Sequence, residues 1–305
     1  MNPHVFAQAE PEISLVVCTR NRAQFLPRAL ASFRCMDCSR QWELILVDSA
    51  STDETGQLLQ AFARDAVAPT LVLRTERAGL SIARNLGWRA ARGRIVAFTD
   101  DDCYPWPDFL DQILQTFENQ PELGYLGGRI LLHDPADLPI TIQTLNEVQV
   151  LPARQFLDAG FIHGANFAVQ RSLLAKLQGF DNRLGAGAPL VAGEDTDLLV
   201  RAAAAGALGR YEPAVVVEHH HRRQQVSEMT RLEHGYAIGR GAYQAKALLD
   251  TTAFDGQTRR LLLKQWYWSM RAMLRNRQTK ILRWEIQGAF RYILLALKQG
   301  RHLSD

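Results

Sequence analysis

The stretch RIVAFTDDDCYPWPDF, residues 94–109, joins an apolar run to three consecutive aspartates, Asp100, Asp101 and Asp102. Adjacent carboxylates repel one another, so a strand end that carries three of them loses stability unless a positive charge lies between them. A turn or a helix cap explains one aspartate but not three. The pattern therefore predicts a bound cation, and hard carboxylate oxygens suit Mg²⁺ or Mn²⁺, which can bridge to phosphate oxygens.

The same apolar run belongs to a series of predicted strands that alternate with segments of helical spacing. The strand-like runs are ISLVVCT (13–19), WELILVDSAS (42–51), TLVLRTE (70–76) and GRIVAFTD (93–100). Alternating strands and helices predict an α/β fold, a parallel sheet with helices on both faces, in which ligands bind beyond the carboxyl ends of the strands. Thr19, Arg20 and Asp48 stand at those ends, together with the three aspartates.

Length and composition indicate a globular protein, since 305 residues with 47% apolar side chains can bury a large core. No apolar run approaches the roughly 18–20 residues that span a bilayer, and the N-terminus has neither a basic start nor an apolar signal core, so we expect a cytoplasmic location. No GxGxxG follows the first strand and no GxxxxGK[ST] occurs, which argues against a dinucleotide enzyme or a P-loop NTPase. Cys35 and Cys38 form a CxxC without a second pair at zinc spacing, which favours reduced thiols.

Charge divides the chain into two unlike parts. Residues 1–221 hold 19 Lys and Arg against 26 Asp and Glu, a balance of −7, whereas residues 222–305 hold 16 against 6, a balance of +10. Such asymmetry indicates an anionic partner for the basic part. An anionic membrane surface and an acidic protein partner are the candidates that we retain, and we expect no nucleic-acid partner.

Two amphipathic helices are predicted in the basic part, over residues 259–276 and 281–298. Their apolar faces are formed by Leu262, Trp266, Met270 and Met273, and by Leu282, Ile286, Phe290, Ile293 and Leu297. Such faces most often pack on their own domain, and the arginines could then pair with its acidic surface. Tryptophans interleaved with arginines are also typical of interfacial membrane helices, so contact with a membrane through residues 257–305 stays open.

Five ordered segments resemble a known family: SLVVCTRNRAQFLPRALASF (14–33), ELILVDSASTDET (43–55), GLSIARNLGWRAARGRIVAFTDDDCYPWPDFL (79–110), GANFAVQRSLLAKLQGFD (164–181) and GEDTDLLVRAAAAG (193–206). Over roughly residues 12–221 the chain resembles the nucleotide-diphospho-sugar transferases of the GT-A fold, specifically glycosyltransferase family 2. The resemblance implies a mostly parallel, Rossmann-like sheet with helices on both faces and a C-terminal α-helical extension.

The resemblance also implies a division of the chain. Residues 1–120 would form the nucleotide-sugar-binding half of the GT-A domain and residues 121–222 the acceptor-binding half of the same domain. Residues 223–305 would form a basic amphipathic helical extension.

The donor pocket is the first site that the resemblance implies. The family pattern assigns to it Thr19, Arg20, Arg22, Asp48, Arg77, Arg84, Asn85, Asp100, Asp101, Gly164 and Asn166. Asp48 would accept a hydrogen bond from the base, for which an N–H of uracil or guanine is the natural donor. Gly164 and Asn166 would line the floor of the sugar pocket.

Metal binding and catalysis are assigned in the same way. Asp100 and Asp102 match the DxD motif of the family, in which the second aspartate usually ligates the metal. One histidine of the run at 219–221 would be a further ligand, and the choice between His219 and His221 stays open. Asp195 aligns with the catalytic base, and Glu194 with the neighbouring acid that binds acceptor or sugar hydroxyls.

These assignments predict a metal-dependent, inverting, hexosyltransferase-like glycosyltransferase. It would move a sugar from a UDP- or GDP-linked donor, with Mn²⁺ or Mg²⁺, to a saccharide or lipid-linked hydroxyl acceptor in polysaccharide, glycan or glycolipid biosynthesis, and it could lie peripherally at the inner face of the membrane. The alternatives are a metal-dependent phosphohydrolase and a non-catalytic nucleotide-sugar-binding protein. All expected positions are filled, which favours the enzyme.

Overall fold

The computed structural model describes residues 10–155, 157, 159–250 and 254–302. This description does not include residues 1–9 of the predicted nucleotide-sugar-binding half or residues 303–305 of the predicted extension. It also does not include the side chain of Leu262, which the sequence predicts on an apolar helix face. The strands are β1 Ile13–Thr19, β2 Trp42–Asp48, β3 Thr70–Arg74, β4 Ile95–Asp100, β5 Cys103–Pro105, β6 Leu123–Leu132, β7 Gln149–Leu151, β8 Asn166–Gln170 and β9 Leu208–His219. The helices are α1 Leu26–Arg34, α2 Thr55–Arg64, α3 Leu80–Ala90, α4 Phe109–Asn119, α5 Arg171–Lys176, α6 Glu194–Ala204, α7 Val226–Leu249, α8 Gly256–Arg275 and α9 Thr279–His302.

The strands form one open sheet in the order β3-β2-β1-β4-β8-β6-β9-β5, with β7 paired to β9. The first four strands are parallel, as the alternation of strands and helices predicts. Their registers pair Thr19 with Asp48 and Cys18 with Asp100, so the chemically active strand ends share one edge of the sheet. Strand β8 then runs antiparallel to both β4 and β6, so the sheet continues across the predicted boundary at residues 120 and 121.

Apolar side chains alternate between the two faces of the sheet and form a core on each side. Leu15 and Val17 of β1 belong to a core shared with α1, α2 and α4, whereas Val16 between them belongs to a core shared with α3, α6 and α7. Helices on both faces are thereby confirmed. Gly87 lets α3 approach β1, because a Cβ there would lie 2.5 Å from Val16 Cγ1.

The C-terminal helices are joined to the sheet domain through α7. The buried Lys246 of α7 places its Nζ 2.9 Å from carboxylate oxygens of both Asp181 and Asp197. Helix α9 crosses α7 very closely, since a Cβ at Gly241 would lie 1.8 Å from the Glu285 carbonyl oxygen and one at Gly288 would lie 2.0 Å from that of Ile238. Among the described helices, none combines the length and hydropathy needed to cross a membrane.

Candidate active site

A cavity of about 600 Å³ opens at the carboxyl ends of β1 and β4. Its walls are the loop after β1, the aspartates after β4, the start of α6 and one face of α7. Of the residues predicted from the sequence, it is lined by Thr19, Arg20, Arg22, Arg84, Asp100, Asp101, Asp102, Gly164, Glu194, Asp195 and His219. The fold therefore gathers predicted donor-binding, metal-binding and catalytic residues in one cavity.

The repulsion within the aspartate run is partly relieved by the loop after β1. Arg22 donates from Nε to Asp101 Oδ1 at 3.1 Å and from Nη2 to Asp102 Oδ2 at 2.6 Å, and the Thr19 hydroxyl donates to Asp101. Burial raises the pKa of Asp101 above its usual value, although Arg22 opposes this. For Asp102, burial acts in the same direction, but His219 and Arg22 outweigh it and hold its pKa below normal.

His219 is the histidine that the structure brings to the aspartates. Its Nε2 lies 3.4 Å from Asp102 Oδ1, and its Nδ1 lies 3.3 Å from the carbonyl oxygen and 3.2 Å from the hydroxyl of Thr141. A metal-bound imidazole commonly donates its second N–H to a carbonyl, which is the arrangement at Thr141. Burial lowers the pKa of His219, but the hydrogen bond to Asp102 and the negative charges of Asp102 and Asp100 together outweigh burial and raise it.

The donor set at this edge fits a divalent ion. Asp102, Cys103 and His219 each offer one ligand atom, and these atoms lie within 4.8 Å of one another. Burial raises the pKa of the Cys103 thiol well above its usual value, so it remains neutral and is a poor ligand for a hard ion. Asp100 also lines the cavity and its side chain is 34% exposed. Carboxylate and imidazole ligands suit Mn²⁺ or Mg²⁺.

The other two histidines of the run face away from the cavity. His221 is buried, with its Nε2 2.9 Å from the Leu138 carbonyl oxygen and its Nδ1 accepting the Arg223 N–H. His220 lies beside the Tyr104 hydroxyl. The side chains of His219 and His221 would share a face only if the strand continued, but β9 ends at His219. The geometry therefore favours His219 over His221 as the ligand.

Arg84 connects the two sides of the cavity. Its guanidinium is 2% exposed and donates to Glu194 Oε1 at 2.9 Å, to Asp100 Oδ1 at 3.1 Å and to the Gly164 carbonyl oxygen at 3.0 Å. Burial opposes its charge, but Asp100 and Glu194 outweigh burial and raise its pKa. One arginine therefore fixes the predicted donor side relative to the predicted acceptor side.

The candidate base stands in the first turn of α6. Gly193, with φ of 87°, precedes the helix in the left-handed region that favours glycine. Asp195 Oδ2 accepts the Gly164 N–H at 2.6 Å, and Oδ1 accepts the N–H of Thr196 at 2.6 Å. Burial and the neighbouring Asp195 raise the pKa of Glu194 to about 7, against the opposing effect of Arg84. Asp195 is thus held by the backbone at the cavity wall.

Two predicted donor residues, Asp48 and Arg77, are not among the side chains that line the cavity. Asp48 is 1% exposed and already accepts hydrogen bonds from Arg74 and from the Ser51 N–H. A base could reach this carboxylate only after Arg74, whose side chain is largely exposed, moves away. Arg77 is exposed between β3 and α3. Their roles in donor binding stay predictions.

The predicted asparagines are committed to the scaffold. Asn85 donates to the Phe180 carbonyl oxygen at 2.8 Å and accepts the Phe180 N–H at 2.9 Å. Asn166 donates to the carbonyl oxygens of Arg129 and Val215, which ties β8 to the residues of β6 and β9. Neither lines the cavity. Asn166 thus supports the sheet beneath the cavity, and direct contact of either residue with a donor stays a prediction.

Sequence reasoning missed the wall that α7 contributes. Leu232, Tyr236, Arg240 and Tyr243 recur at helical spacing along one face of α7 and line the cavity, and so does Arg223 before the helix. Arg240 Nε donates to Glu285 Oε1 of α9 at 2.8 Å. The helical spacing could have been read from the sequence, but nothing in the pattern shows which face of α7 meets the cavity.

Comparison with known proteins finds similar chains among glycosyltransferases. A mannosyltransferase from Pyrobaculum calidifontis, solved in complex with GDP-Man and Mn²⁺, is 23% identical with a TM-score of 0.63, covering 97% of this chain and 81% of that one. Succinoglycan biosynthesis protein ExoO of Rhizobium meliloti is 27% identical over 274 residues, 86% of this chain and 76% of that protein. Glucosyl-dolichyl phosphate glucuronosyltransferase of Haloferax volcanii is 23% identical over 181 residues, 57% of each chain. The chain spans about a third of the length of other curated relatives that it matches.

The open sheet, with its carboxylate-lined cavity at one edge, has the GT-A fold of the solved mannosyltransferase. The model named "Glycosyl transferase family 2" matches residues 14–177, which is more than half of the chain. The chain therefore belongs to glycosyltransferase family 2. The predicted family and fold are confirmed, and membership of a glycosyltransferase family replaces the phosphohydrolase alternative.

Proposed function

We propose that this chain transfers a sugar, with inversion, from a UDP- or GDP-linked donor to a hydroxyl of a glycan or lipid-linked acceptor in glycan biosynthesis. The observation that carries the proposal is that one cavity contains both the Asp102–His219 pair and the carboxylate of Asp195. A binding module would need only the first of these. The presence of a backbone-held carboxylate in the same cavity favours a catalyst.

Asp100, Asp102 and His219 would hold the divalent ion, Mn²⁺ or Mg²⁺. When bound, such an ion neutralises the diphosphate and stabilises it as a leaving group. Arg20 and Arg223 also line the cavity, and neither side chain has an ion-pair partner within the described part of the chain. These two arginines are therefore available to bind phosphate oxygens of the donor. The solved mannosyltransferase complex with GDP-Man and Mn²⁺ supports this chemistry by likeness.

Asp195 would act as the general base. The acceptor oxygen attacks the anomeric carbon, the bond from that carbon to the diphosphate oxygen breaks, and the hydroxyl proton passes to the Asp195 carboxylate. The Gly164 and Thr196 N–H groups hold the carboxylate in place, so it need not reorganise during the step. Glu194, fixed by Arg84, would bind a hydroxyl of the acceptor or of the transferred sugar.

Tyr236 and Tyr243 of α7 would form the acceptor wall beside this base, because aromatic rings pack well against sugar faces. The name of the Haloferax relative describes a lipid-phosphate-linked sugar, which supports by likeness a lipid-linked acceptor here. A cytoplasmic location at the inner face of a membrane belongs to the same proposal, and the balance of +10 in residues 222–305 supports it.

The test compares Asp195→Asn with Asp102→Asn. Asp195→Asn removes the base, so release of UDP or GDP from a panel of nucleotide sugars with added glycosides should fall by about 10²–10⁴ while nucleotide affinity in Mn²⁺ is unchanged. Because an amide offers only one oxygen, Asn also loses one backbone hydrogen bond and should lower stability by about 1 kcal/mol. Asp102→Asn should instead abolish the Mn²⁺ dependence of UDP or GDP binding in calorimetry.

Two results would count against the proposal. Full turnover by Asp195→Asn would place the base elsewhere, with Glu194 as the first alternative. Equal UDP and GDP affinity with Mn²⁺ and with a chelator would remove the metal from the donor site.

A further inference from the structure

Helix α9 is apolar on two faces, only one of which is covered. The covered face contains Leu282, Glu285, Gly288 and Tyr292 and packs against the rest of the protein, chiefly α7. The other face is an exposed stripe at helical spacing, which we call the α9 stripe: Ile286, Phe290, Ile293, Leu294 and Leu297. Phe290 and Leu297 are each 60% exposed. The predicted packing face therefore divides, with Leu282 buried and Ile286, Phe290, Ile293 and Leu297 left in solvent.

Helix α8, which contacts α9, carries a second exposed apolar set. Leu263, Tyr267 and Leu274 recur along one side of α8 and are exposed, and Trp268 beside them is 55% exposed. Single exposed apolar residues are ordinary on a protein surface, but five on one face of α9 and a further set on α8 indicate an interaction site.

Basic residues accompany both apolar sets. On α9, Arg283, Arg291 and Lys298 are exposed. On α8, a second row at helical spacing is also exposed: Arg260, Lys264, Arg271 and Arg275. None of these seven cations forms an ion pair within the described residues. The alternative in which the tail arginines pair with the acidic catalytic domain is therefore not what these residues do.

The exposed apolar residues and the exposed cations together indicate one kind of partner. A second copy of the chain would bring like-charged rows together, which opposes self-association through this surface. An anionic bilayer offers acyl chains for the apolar stripe and phosphate groups for the cations, which is the arrangement of interfacial helices. We propose that α8 and α9 dock on an anionic lipid bilayer, with the α9 stripe in the headgroup and acyl-chain boundary.

The docked orientation would place the active-site cavity near the bilayer. Helix α7 lines the cavity on one side and carries α9 on the other, and Arg240 reaches from the cavity wall to Glu285. Packed helix axes lie about 8–10 Å apart, so the cavity is about two helix layers from the lipid surface. This inference rests on the proposed function only in that it gives a lipid-linked acceptor a route to Asp195.

The experiment measures binding of the full chain to vesicles by co-sedimentation. Vesicles of phosphatidylcholine are compared with vesicles containing about 30 mol% phosphatidylglycerol, at about 50 mM and about 500 mM NaCl. We expect binding only with the anionic lipid, weakening as salt rises. The double variant Phe290→Glu/Leu297→Glu should bind more than about 100-fold more weakly, since two apolar side chains leave the interface.

Two further variants separate charge from insertion. Arg283→Ser/Arg291→Ser should weaken binding by about 25-fold, since each surface-bound cation contributes about fivefold. Val67→Glu, at an exposed valine 64% accessible between α2 and β3, is the matched control and should bind like the unchanged protein. All variants replace exposed side chains, and their thermal unfolding, together with their affinity for whichever of UDP and GDP the unchanged protein binds in Mn²⁺, reports whether they are folded.

Each remaining outcome overturns the proposal. Absence of binding to anionic vesicles at low salt removes the membrane as partner, and equal binding by the Phe290→Glu/Leu297→Glu variant removes this surface. A concentration-dependent dimer that this variant abolishes, with no vesicle binding, would assign the stripe to a second copy. None of these measurements depends on sugar transfer, so failure here is distinct from failure of the proposed reaction.

Discussion

Replacing Arg84 by methionine tests the bridge between the two sides of the cavity. The change keeps an apolar stem between Phe167 and Phe180, whose ring centres lie 5.8 and 5.6 Å from the guanidinium carbon, but removes three hydrogen bonds. Hydrogen bonds to charged groups contribute about 1.5–3 kcal/mol each, and removing one partner of a buried ion pair costs about 3–5 kcal/mol. Because Asp100 is 34% exposed and can be rehydrated, we expect the lower figure, about 3 kcal/mol.

The loss of stability in Arg84→Met should depend on pH because Glu194 titrates. Its pKa of about 7 lies above the usual 4.5, so the folded protein binds this proton more tightly than the unfolded chain, and stability falls as pH rises from about 4.5 to 7. Without Arg84 the pKa rises further, and the fall in stability continues to higher pH. The destabilisation should therefore be greater at about pH 8 than at about pH 5.5.

Urea unfolding of Arg84→Met, Arg84→Lys and the unchanged protein at both pH values measures this difference. Lysine keeps the charge but cannot donate to three acceptors in a fixed plane, so Arg84→Lys should lie between the other two. A loss below about 1 kcal/mol, or an equal loss at both pH values, would refute the assignment of Arg84 as the charged link.

Two further changes extend these tests. The pKa of Asp181 lies below normal because Arg183 and Lys246 outweigh burial. The stability that the Asp181 carboxylate contributes is therefore present above about pH 4 and is lost as pH falls through the folded pKa. Asp181→Asn should abolish this acid-dependent loss of stability in urea titrations, and an unchanged loss would contradict the assignment. Gly164→Ala places a Cβ 2.8 Å from Arg84 Nη2 and 3.0 Å from Asp195 Oδ2, and it should lower turnover about 10–100-fold with nucleotide affinity kept; kinetics equal to the unchanged protein would show that the cleft yields.

The parallel half of the sheet is predicted well from the sequence, because its strands are local apolar runs such as Leu15, Val16 and Val17, which the fold buries. It also identifies the aspartate run, where three like charges have no local explanation. It does not show that Arg84 reaches Glu194, because the partners are separated by 110 residues and meet only in the folded chain. Such long-range pairing leaves no periodic signal.

The same limit explains the residues whose place differed from the prediction. Asn85 and Asn166 are polar and stand near site motifs, yet their amides satisfy backbone groups that the fold buries. His221 would point in the same direction as His219 only if β9 continued two residues further, to His221. The end of a strand is set by its pairing with other strands, which cannot be predicted from the amino-acid sequence alone.

The position of α7 between the cavity and α9 limits how segments of this chain can be exchanged with those of its relatives. Tyr236 and Arg240 belong to the helix whose other side carries Gly241 against Glu285. A chimera that takes residues 223–305 from another family member would therefore import a new cavity wall together with new outer helices. The proposed acceptor wall and the proposed lipid-docking surface should therefore be inherited as one unit, while the aspartate run and Arg22 would stay with the recipient.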